Sequence, residues 1–176
     1  MREIKAKLRR DLISCRKKIN KAEKEAADES IFRQLIPFAD KAGSVFCYAS
    51  TEIEVDTRRF INYCLKNKIP VALPVSGDME LSFYYIESTN ELCKGRYNID
   101  EPPMIRPAFA DENTLCIVPA LCADGNGYRL GYGKGYYDRF LIGFKGISVI
   151  ICYKDFKREV PTEPFDMRTM FTVFDE

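Results

Sequence analysis

The stretch Ser44-Val45-Phe46-Cys47-Tyr48-Ala49 is short and almost continuously apolar. Such a run predicts a strand that is buried on both faces, as strands of parallel sheets are. A helical pattern follows over 57–65, with Thr57 placed to cap it, and a second apolar run follows over 69–73. The order strand, helix, strand predicts a right-handed parallel crossover. We therefore expect an α/β fold, with the polar turn 50–56 at the carboxyl edge of the sheet, where ligands bind.

The same periodicity, read in both directions from this unit, predicts the other elements. Asn20 and Glu23 resemble a capping box that opens a second helix, and Pro37 is expected to end that helix at about residue 35. The segment 90–107, rich in Gly, Pro and charge, is expected to be irregular. We expect further helices over 3–19 and 135–142, and further strands over 81–86 (possible edge strand), 115–118, 147–152 and 171–174.

Composition indicates one globular domain over 1–176, with 46% hydrophobic and 30% charged residues. The formal net charge of +1 provides no basic field for nucleic acid. No apolar run is long enough to cross a bilayer, and the charged N-terminus lacks the apolar core of a signal peptide. We expect no nucleic-acid partner, no membrane partner and a cytoplasmic location.

Cysteine and histidine usage restricts the chemistry. The seven cysteines are odd in number and form no C-x-x-C pair, which favours reduced core residues over a disulfide framework or a zinc site. The chain has no histidine. Ser-His and Cys-His catalysis and His-ligated metals are therefore excluded. General acids, general bases and metal ligands must then be carboxylates, Lys, Tyr or Arg.

A glycine-rich stretch, Gly125-Asn126-Gly127-Tyr128-Arg129-Leu130-Gly131-Tyr132-Gly133-Lys134-Gly135-Tyr136-Tyr137-Asp138-Arg139, follows the strand over 115–118. Glycine allows close approach of the main chain to a ligand, and exposed amides with Lys and Arg bind phosphate. Arg129 and Lys134 are suited to phosphate oxygens, and Asp138 is a hard ligand suited to magnesium. The spacing matches neither G-x-x-x-x-G-K-[ST] nor G-x-G-x-x-G. The residues alone indicate a magnesium–nucleotide site; a flexible surface loop is the alternative.

This stretch, preceded by Pro119, Leu121 and Asp124, closely resembles the signature of the 5-formyltetrahydrofolate cyclo-ligase family. Other family landmarks recur over nearly the whole chain. They are Lys5-Ala6-Lys7-Leu8-Arg9, Glu54-Val55-Asp56-Thr57, Glu101-Pro102 and the proline-bearing region 161–166.

The resemblance implies a Rossmann-like, three-layer α/β/α sandwich with a mainly parallel sheet. It implies ATP- and Mg²⁺-dependent cyclisation of 5-formyltetrahydrofolate to 5,10-methenyltetrahydrofolate, with release of ADP and phosphate, by a monomer or weak homodimer. It also implies roles for individual residues. Arg129 and Lys134 are the expected catalytic cations and Asp138 the expected metal ligand. The expected ATP contacts are Lys5, Arg9, Arg129, Leu130, Gly131, Tyr132, Gly133, Lys134, Gly135, Tyr136 and Tyr137. The expected folate contacts are Arg9, Ala49, Glu54, Tyr132, Gly133, Lys134, Gly135 and Tyr136.

Three positions depart from the family pattern. Phe165 and Met170 stand where relatives often carry a histidine and a second aspartate, whereas Asp166 is retained. A second protein ligand for magnesium is therefore in question. Ala123 replaces a usual aromatic residue before Asp124, which predicts a looser folate pocket.

Two other functions stay open at this stage. A nucleotide- or sugar-phosphate-binding module without ligase activity would keep the basic glycine-rich stretch, but it has no need of Glu54, Lys5 or Arg9. A protein- or RNA-binding domain would use the basic first helix, although the neutral net charge and the acids in that helix argue against it.

Overall fold

The computed structural model describes every residue from Met1 to Glu176. Four α-helices are present, together with short 3₁₀ turns at Thr89–Glu91, Arg96–Asn98 and Lys154–Phe156. The helices are α1 (Arg2–Arg16), α2 (Lys21–Ala39), α3 (Arg58–Lys66) and α4 (Tyr136–Leu141). No helix has the length and apolar character needed to span a membrane.

Eleven strands form one large sheet and two small two-stranded ribbons. The strands are β1 (Ser44–Phe46), β2 (Val71–Ser76), β3 (Leu81–Ile86), β4 (Cys93–Lys94), β5 (Asp100–Glu101), β6 (Pro107–Ala108), β7 (Thr114–Pro119), β8 (Cys122–Ala123), β9 (Arg129–Leu130), β10 (Ile147–Cys152) and β11 (Phe171–Phe174). The large sheet has the order β11-β10-β7-β1-β2-β3-β6, and the ribbons are β4-β5 and β8-β9.

The sheet is mainly parallel, as the sequence predicts. Neighbours from β11 through β10, β7 and β1 to β2 are parallel, whereas β3 and β6 add two antiparallel strands at one side. From β1 the chain crosses to β2 through α3, and from β7 it crosses the other way to β10 through α4. Right-handed crossovers in opposite directions place α3 and α4 on opposite faces. The result is a three-layer α/β/α arrangement.

One apolar core lies between the layers. Val45, Leu73, Leu115 and Ile150 are at most 1% exposed and come from four neighbouring strands, β1, β2, β7 and β10. On the α4 face, aromatic rings from three elements pack together: Phe46 stacks on Phe83 with 4.5 Å between centroids, and Phe140 is tilted against Phe83 at 4.8 Å.

The cysteines are free, as expected. Five of them lie in the core (Cys47, Cys64, Cys116, Cys122 and Cys152), and burial raises the pKa of each thiol. These residues therefore serve as small apolar groups.

Two predicted boundaries are wrong for local reasons. Pro37 does not end α2, which continues to Ala39. A proline near the end of a helix costs little there, because few hydrogen bonds follow it. The first helix ends at Arg16 and not at residue 19.

The caps of α2 and α3 differ in kind. Asn20 caps α2 through Oδ1, which accepts a hydrogen bond from the Ala22 amide at 2.9 Å. Thr57 occupies the cap position of α3, but its hydroxyl donates to the Tyr48 carbonyl at 2.6 Å, and Asp56 accepts from the Arg58 amide instead.

Candidate active site

The two central strands, β1 and β7, mark the point where the chain order reverses. From β1 the chain proceeds outward to β2 and β3, and from β7 it proceeds outward to β10 and β11. Loops at the carboxyl ends of such a strand pair diverge and leave a crevice, which is the usual ligand site of open α/β sheets. The loop after β1 carries Glu54, and the chain after β7 carries the glycine-rich stretch.

Glu54 is held in a fixed position at this crevice. It is 6% exposed, and its Oε2 accepts hydrogen bonds from the Thr51 amide and the Thr51 hydroxyl, both at 2.8 Å. Oε1 accepts no hydrogen bond within the protein. A buried carboxylate with one oxygen available is suited to accept N–H donors of a flat heterocycle.

Tyr132 lies next to Glu54, although 77 residues lie between them in the sequence. Burial raises the pKa of Tyr132 above its ordinary value, and the Glu54 charge raises it further. The phenol is therefore protonated at neutral pH and is placed to donate either to Glu54 or to a ligand. Tyr132 remains 44% exposed as a residue, so it is accessible to a ligand.

The glycine-rich stretch begins as a tight ribbon. β8 and β9 pair antiparallel, and the Asp124 carboxylate accepts the Asn126 and Tyr128 amides at 2.8 and 3.0 Å in the turn between them. Gly127 has φ +88°, and a Cβ there would lie 2.5 Å from the Thr169 carbonyl oxygen. This glycine is required both by conformation and by contact.

Arg9 from α1 lies against the second half of the stretch. Its Nε donates to the Gly131 carbonyl at 2.8 Å. A Cβ on Gly133, which has φ +97°, would lie 2.9 Å from the Arg9 Cζ. Both Nη atoms lack a protein acceptor, and no carboxylate pairs with this guanidinium. They remain available for an anionic ligand.

Lys5 lies one turn earlier on the same helix but contacts other residues. Its Nζ is 2.5 Å from Asp166 Oδ2 and 3.0 Å from Glu163 Oε2, and the residue is 6% exposed. Burial lowers the pKa of Lys5, but the hydrogen bonds and charges of the two carboxylates outweigh it and raise the pKa above its ordinary value. The predicted ATP contact is thus paired with the C-terminal loop in this structure.

Arg129 and Asp138 form a second link to that loop. The Arg129 Nη2 donates to Asp138 Oδ1 at 3.0 Å, and its Nη1 donates to the Met167 carbonyl at 3.0 Å. The Met167 amide donates to the same Asp138 oxygen at 3.1 Å. The Arg129 side chain is 4% exposed. Asp138 Oδ2 accepts no hydrogen bond within the protein.

Lys134 is exposed at the tip of the glycine-rich stretch. Its Nζ lies 5.5 Å from the centroid of the Tyr97 ring, which is carried by the turn of the β4-β5 ribbon. The neighbouring Tyr136 side chain lowers the pKa of Tyr97, and Lys134 adds to this effect. The Tyr136 hydroxyl also donates to the Gly77 carbonyl at 2.8 Å. The ribbon therefore covers one side of the crevice.

Tyr97 and the ribbon are not predicted from the sequence, which indicates an irregular segment here. The available signal is the aromatic residue within Gly95-Arg96-Tyr97-Asn98. Tyr97 and Asn98 both adopt positive φ, +62° and +58°. Such a conformation is uncommon for a non-glycine residue and clusters at functional sites.

Four further positions singled out from the sequence are buried or half-buried in the structure. Leu130 is 2% exposed in the core, so its side chain does not face the crevice. Ala49 is half-buried beside a cleft of about 200 Å³. The Tyr137 hydroxyl is buried without a partner, and burial raises its pKa well above the ordinary value. Ala123 is fully buried in the core, and the looser folate pocket stays a prediction.

Gly135 closes the stretch. It adopts φ +68° and caps α4, so the chain enters that helix directly from the crevice. The structure thus brings Arg9 onto the glycine-rich stretch, Tyr132 onto Glu54, and Arg129 onto Asp138. It leaves Leu130 in the core and Lys5 on the C-terminal loop.

Comparisons with known proteins agree with this architecture. The model of the 5-formyltetrahydrofolate cyclo-ligase family matches residues 1–174. A probable 5-formyltetrahydrofolate cyclo-ligase of Schizosaccharomyces pombe is 30% identical over 134 residues, which are 65% of this chain and 66% of the relative. The 5-formyltetrahydrofolate cyclo-ligase of Mycoplasma pneumoniae is 25% identical over 176 residues, covering 96% of this chain and 97% of the relative.

A solved structure shares the fold and most of the length. The 5,10-methenyltetrahydrofolate synthetase of Aquifex aeolicus superposes with a TM-score of 0.85 at 28% identity, covering 97% of this chain and 89% of the other. The family model spans almost every residue, including both loops of the crevice and the N-terminal helix that contacts them. The chain therefore belongs to the 5-formyltetrahydrofolate cyclo-ligase family.

Proposed function

We propose that the crevice between the Glu54 loop, the glycine-rich stretch and α1 is the site at which this chain binds both of its substrates. The reaction is that of the family: 5-formyltetrahydrofolate is cyclised to 5,10-methenyltetrahydrofolate, with ATP as co-substrate. One observation supports this assignment most directly. At the point where the strand order reverses, Tyr132 lies beside Glu54, and Arg9 binds the adjoining Gly131 carbonyl.

On the folate side, Glu54 anchors the pterin. Its free Oε1 accepts N–H donors of the ring, while Thr51 holds Oε2. Tyr132, next to Glu54, donates its protonated hydroxyl, and Tyr97 of the ribbon and Tyr136 of α4 offer faces for stacking. Ala49 lines the neighbouring cleft.

On the nucleotide side, the free Nη atoms of Arg9 and the main-chain amides of 131–135 take phosphate oxygens. Lys134 is exposed, and the flexible stem of a lysine allows its ammonium to reach the γ-phosphoryl group, which it neutralises as a point charge. Arg129 is already engaged with Asp138 and Met167. It therefore contributes by holding these groups in place. Lys5 reaches the nucleotide only by sharing or exchanging its contacts with Glu163 and Asp166.

The residues present fit a magnesium ion held mainly by ligand and water. No group of three or more His, Cys, Asp or Glu residues is arranged to hold a metal ion. Asp138 offers one free oxygen, and magnesium typically takes one or two carboxylates with phosphate oxygens and retained waters. We propose Asp138 as its protein ligand. When bound, magnesium supplies neutralisation of the charge on the phosphate groups.

The chemistry requires alignment more than covalent help from the protein. The N5-formyl oxygen attacks the γ-phosphorus of ATP, ADP leaves, and an iminium phosphate forms. The N10 nitrogen then attacks the formyl carbon, N10 loses its proton, and phosphate departs with the formyl oxygen to give the methenyl product. Arg9 and Lys134 stabilise the phosphoryl charge, and Glu54 fixes the pterin. The first step then takes place between two aligned substrates, and the second takes place within the folate itself. No histidine is needed.

The buried free thiols are consistent with a reducing compartment, and the cytoplasm is the location that we propose. The net charge of +1 gives no reason for a nucleic-acid partner. We propose that the chain works as a monomer or weak homodimer, which size-exclusion chromatography coupled to light scattering checks.

The activity is tested by mixing the protein with 5-formyltetrahydrofolate and Mg·ATP and following the near-ultraviolet absorbance of the methenyl product. Reactions without ATP provide the baseline. We expect Glu54→Gln to raise the KM for the folate about 10- to 100-fold, since a hydrogen bond to a charged group contributes roughly 1.5–3 kcal/mol.

Glu52→Gln is the matched control, because Glu52 lies on the same loop, is exposed and makes no hydrogen bond through its side chain. This variant is expected to behave as the wild type. A folded wild-type protein that forms no product would overturn the function. An unchanged folate KM in Glu54→Gln would remove Glu54 from the site.

A further inference from the structure

Arg16, the last residue of α1, is buried without an acidic partner. It is 3% exposed, and no carboxylate forms an ion pair with it. Arginine is rarely buried so completely unless it is paired, because the desolvation of the charge is costly. A buried guanidinium without an anion therefore calls for an explanation from what it contacts.

Its donors bind main-chain carbonyls on both sides of the crevice. Nη1 donates to the Ile53 carbonyl at 3.0 Å, directly before Glu54. Nη2 donates to the carbonyls of Ala120 and Leu121 at 2.8 and 3.0 Å, and Nε donates to Leu121 at 3.2 Å. Ala120 and Leu121 lie at the end of β7, where the chain enters the ribbon that leads to the glycine-rich stretch.

Aromatic rings and a thiol enclose the guanidinium. Its Cζ lies 4.7 Å from the centroid of Phe156 and 5.2 Å from that of Tyr153. Nη2 also approaches the Cys152 Sγ at 3.5 Å. All three nitrogens thus have acceptors, and the planar group packs against two neighbouring rings. The whole arrangement uses the fork shape of arginine, which lysine does not have.

The segment 53–55 is held from the interior at three successive carbonyls. Arg16 binds the first, the Tyr153 hydroxyl lies 2.9 Å from the second and 2.7 Å from Asp28 Oδ1, so that its one hydrogen is shared between them, and the Tyr48 hydroxyl donates to the third at 3.2 Å. Of these three side chains, Arg16 is the one that also binds the chain at 120–121. It therefore couples the loop that carries Glu54 to the base of the glycine-rich stretch.

We propose that Arg16 is a positioning residue for the cyclisation, which sets the distance between the pterin-anchoring Glu54 and the phosphate-binding stretch. This inference rests on the proposed function of the two segments. Arg16 touches neither substrate; it acts through the main chain of both loops. The two substrates must meet with the formyl oxygen in line with the γ-phosphorus, and an error of about 1 Å in such an alignment costs about 100-fold in rate.

The charge of Arg16 also reaches the site. Burial and Glu54 raise the pKa of Tyr132, and Arg16 opposes them, so this buried cation acts on the same phenol as the carboxylate. A lysine at position 16 keeps the charge, but a single ammonium cannot reach 53 and 120–121 in the same planar geometry. The comparison of Arg16→Lys with wild type therefore isolates the geometry from the charge.

The test measures kcat and the dissociation constants of ATP and 5-formyltetrahydrofolate separately. We expect Arg16→Lys to fold, to bind each substrate within a few-fold of wild type, and to lose about 100-fold in kcat. Arg16→Ala is expected to lose at least as much, and added guanidinium ion is expected to restore part of the kcat. Arg10→Lys and Arg10→Ala are matched controls, since Arg10 is exposed on the same helix and makes no hydrogen bond or ion pair through its side chain.

The outcomes separate this inference from the proposed function. A folded wild type without activity overturns both. An active wild type with a folded Arg16→Lys of unchanged kcat overturns the positioning role alone, as does a loss that appears only in the dissociation constants. If neither variant folds, Arg16 serves stability, and the inference fails as well. A reduced kcat with intact binding and rescue by guanidinium supports it.

Discussion

At the scale of single residues, Arg129 determines which oxygen of Asp138 is available to a ligand. The carboxylate has two oxygens, and Arg129 and the Met167 amide both occupy Oδ1. Oδ2 is left for a cation. The arginine that the sequence assigns to phosphate is thus part of the support for the proposed metal ligand. Its removal is expected to disturb the fold locally, because it leaves Asp138 and the Met167 carbonyl without their partner.

Asp138→Asn is expected to raise the magnesium concentration needed for half-maximal rate, since an amide oxygen is a weaker ligand for a hard cation than a carboxylate. A tenfold shift or more corresponds to at least about 1.4 kcal/mol. Magnesium titrations of the cyclisation rate at saturating ATP measure it. Asp155→Asn is the control, as Asp155 is exposed and makes no hydrogen bond or ion pair through its side chain. Identical titrations for Asp138→Asn and wild type would assign the metal elsewhere.

At the scale of elements, the β8-β9 ribbon depends on its turn. Gly127 is prevented from carrying a side chain both by φ +88° and by the Thr169 carbonyl, which is main chain and cannot move aside. Gly125, two residues earlier, has no atom within 4 Å of an added Cβ and no positive φ. The two glycines are alike in the sequence and different in the structure.

Gly127→Ala is therefore expected to destabilise the protein by about 1–3 kcal/mol, the usual cost of a strained backbone conformation, with the contact to Thr169 adding to it. Gly125→Ala is expected to be neutral or slightly stabilising. Denaturant unfolding monitored by circular dichroism compares the two variants with wild type. Equal stability of both variants would contradict the role given to the turn.

The elements also show what the sequence could and could not predict. The bounds of β3, β10 and β11 agree with the predicted ranges, because each is a short run rich in β-branched and aromatic residues. The two-residue strands of the ribbons were not predicted, since two residues carry no period. Glu54 and Arg9 can be identified from sequence motifs, whereas Arg16 cannot. In a helix with many cations, the sequence does not distinguish a solvated arginine from a buried one.

On the scale of the whole molecule, the N-terminal helix and the C-terminal loop are joined by charge. Lys5 pairs with Glu163 and Asp166, and the pKa of Lys5 is raised above its ordinary value of 10.5. Because the pKa of Lys5 is raised in the folded protein, its ion pairs contribute their full stabilisation at every pH below the pKa of the unfolded state. That contribution is lost as the pH rises through the folded-state pKa.

Lys5→Met is expected to lower the free energy of unfolding by roughly 1–3 kcal/mol at neutral pH, between the values of surface and buried pairs. The difference from wild type is expected to stay constant up to about pH 10 and to shrink above that pH. Lys7→Met is the control, because Lys7 is exposed on the same helix and forms no ion pair. Urea unfolding at a series of pH values measures both. A difference that grows with alkaline pH would contradict the pairing.

The pairing of Lys5 with Asp166 has a consequence for biosynthesis, because the two residues are 161 positions apart. A nascent chain emerges from the ribosome with its N-terminus first. Helix α1 is therefore complete long before the loop that holds Lys5 has been made, and Arg9 likewise waits for Gly131, 122 positions later. The contacts that Lys5 and Arg9 make in the folded protein therefore form only after the loop at 163–166 and Gly131, respectively, have been made.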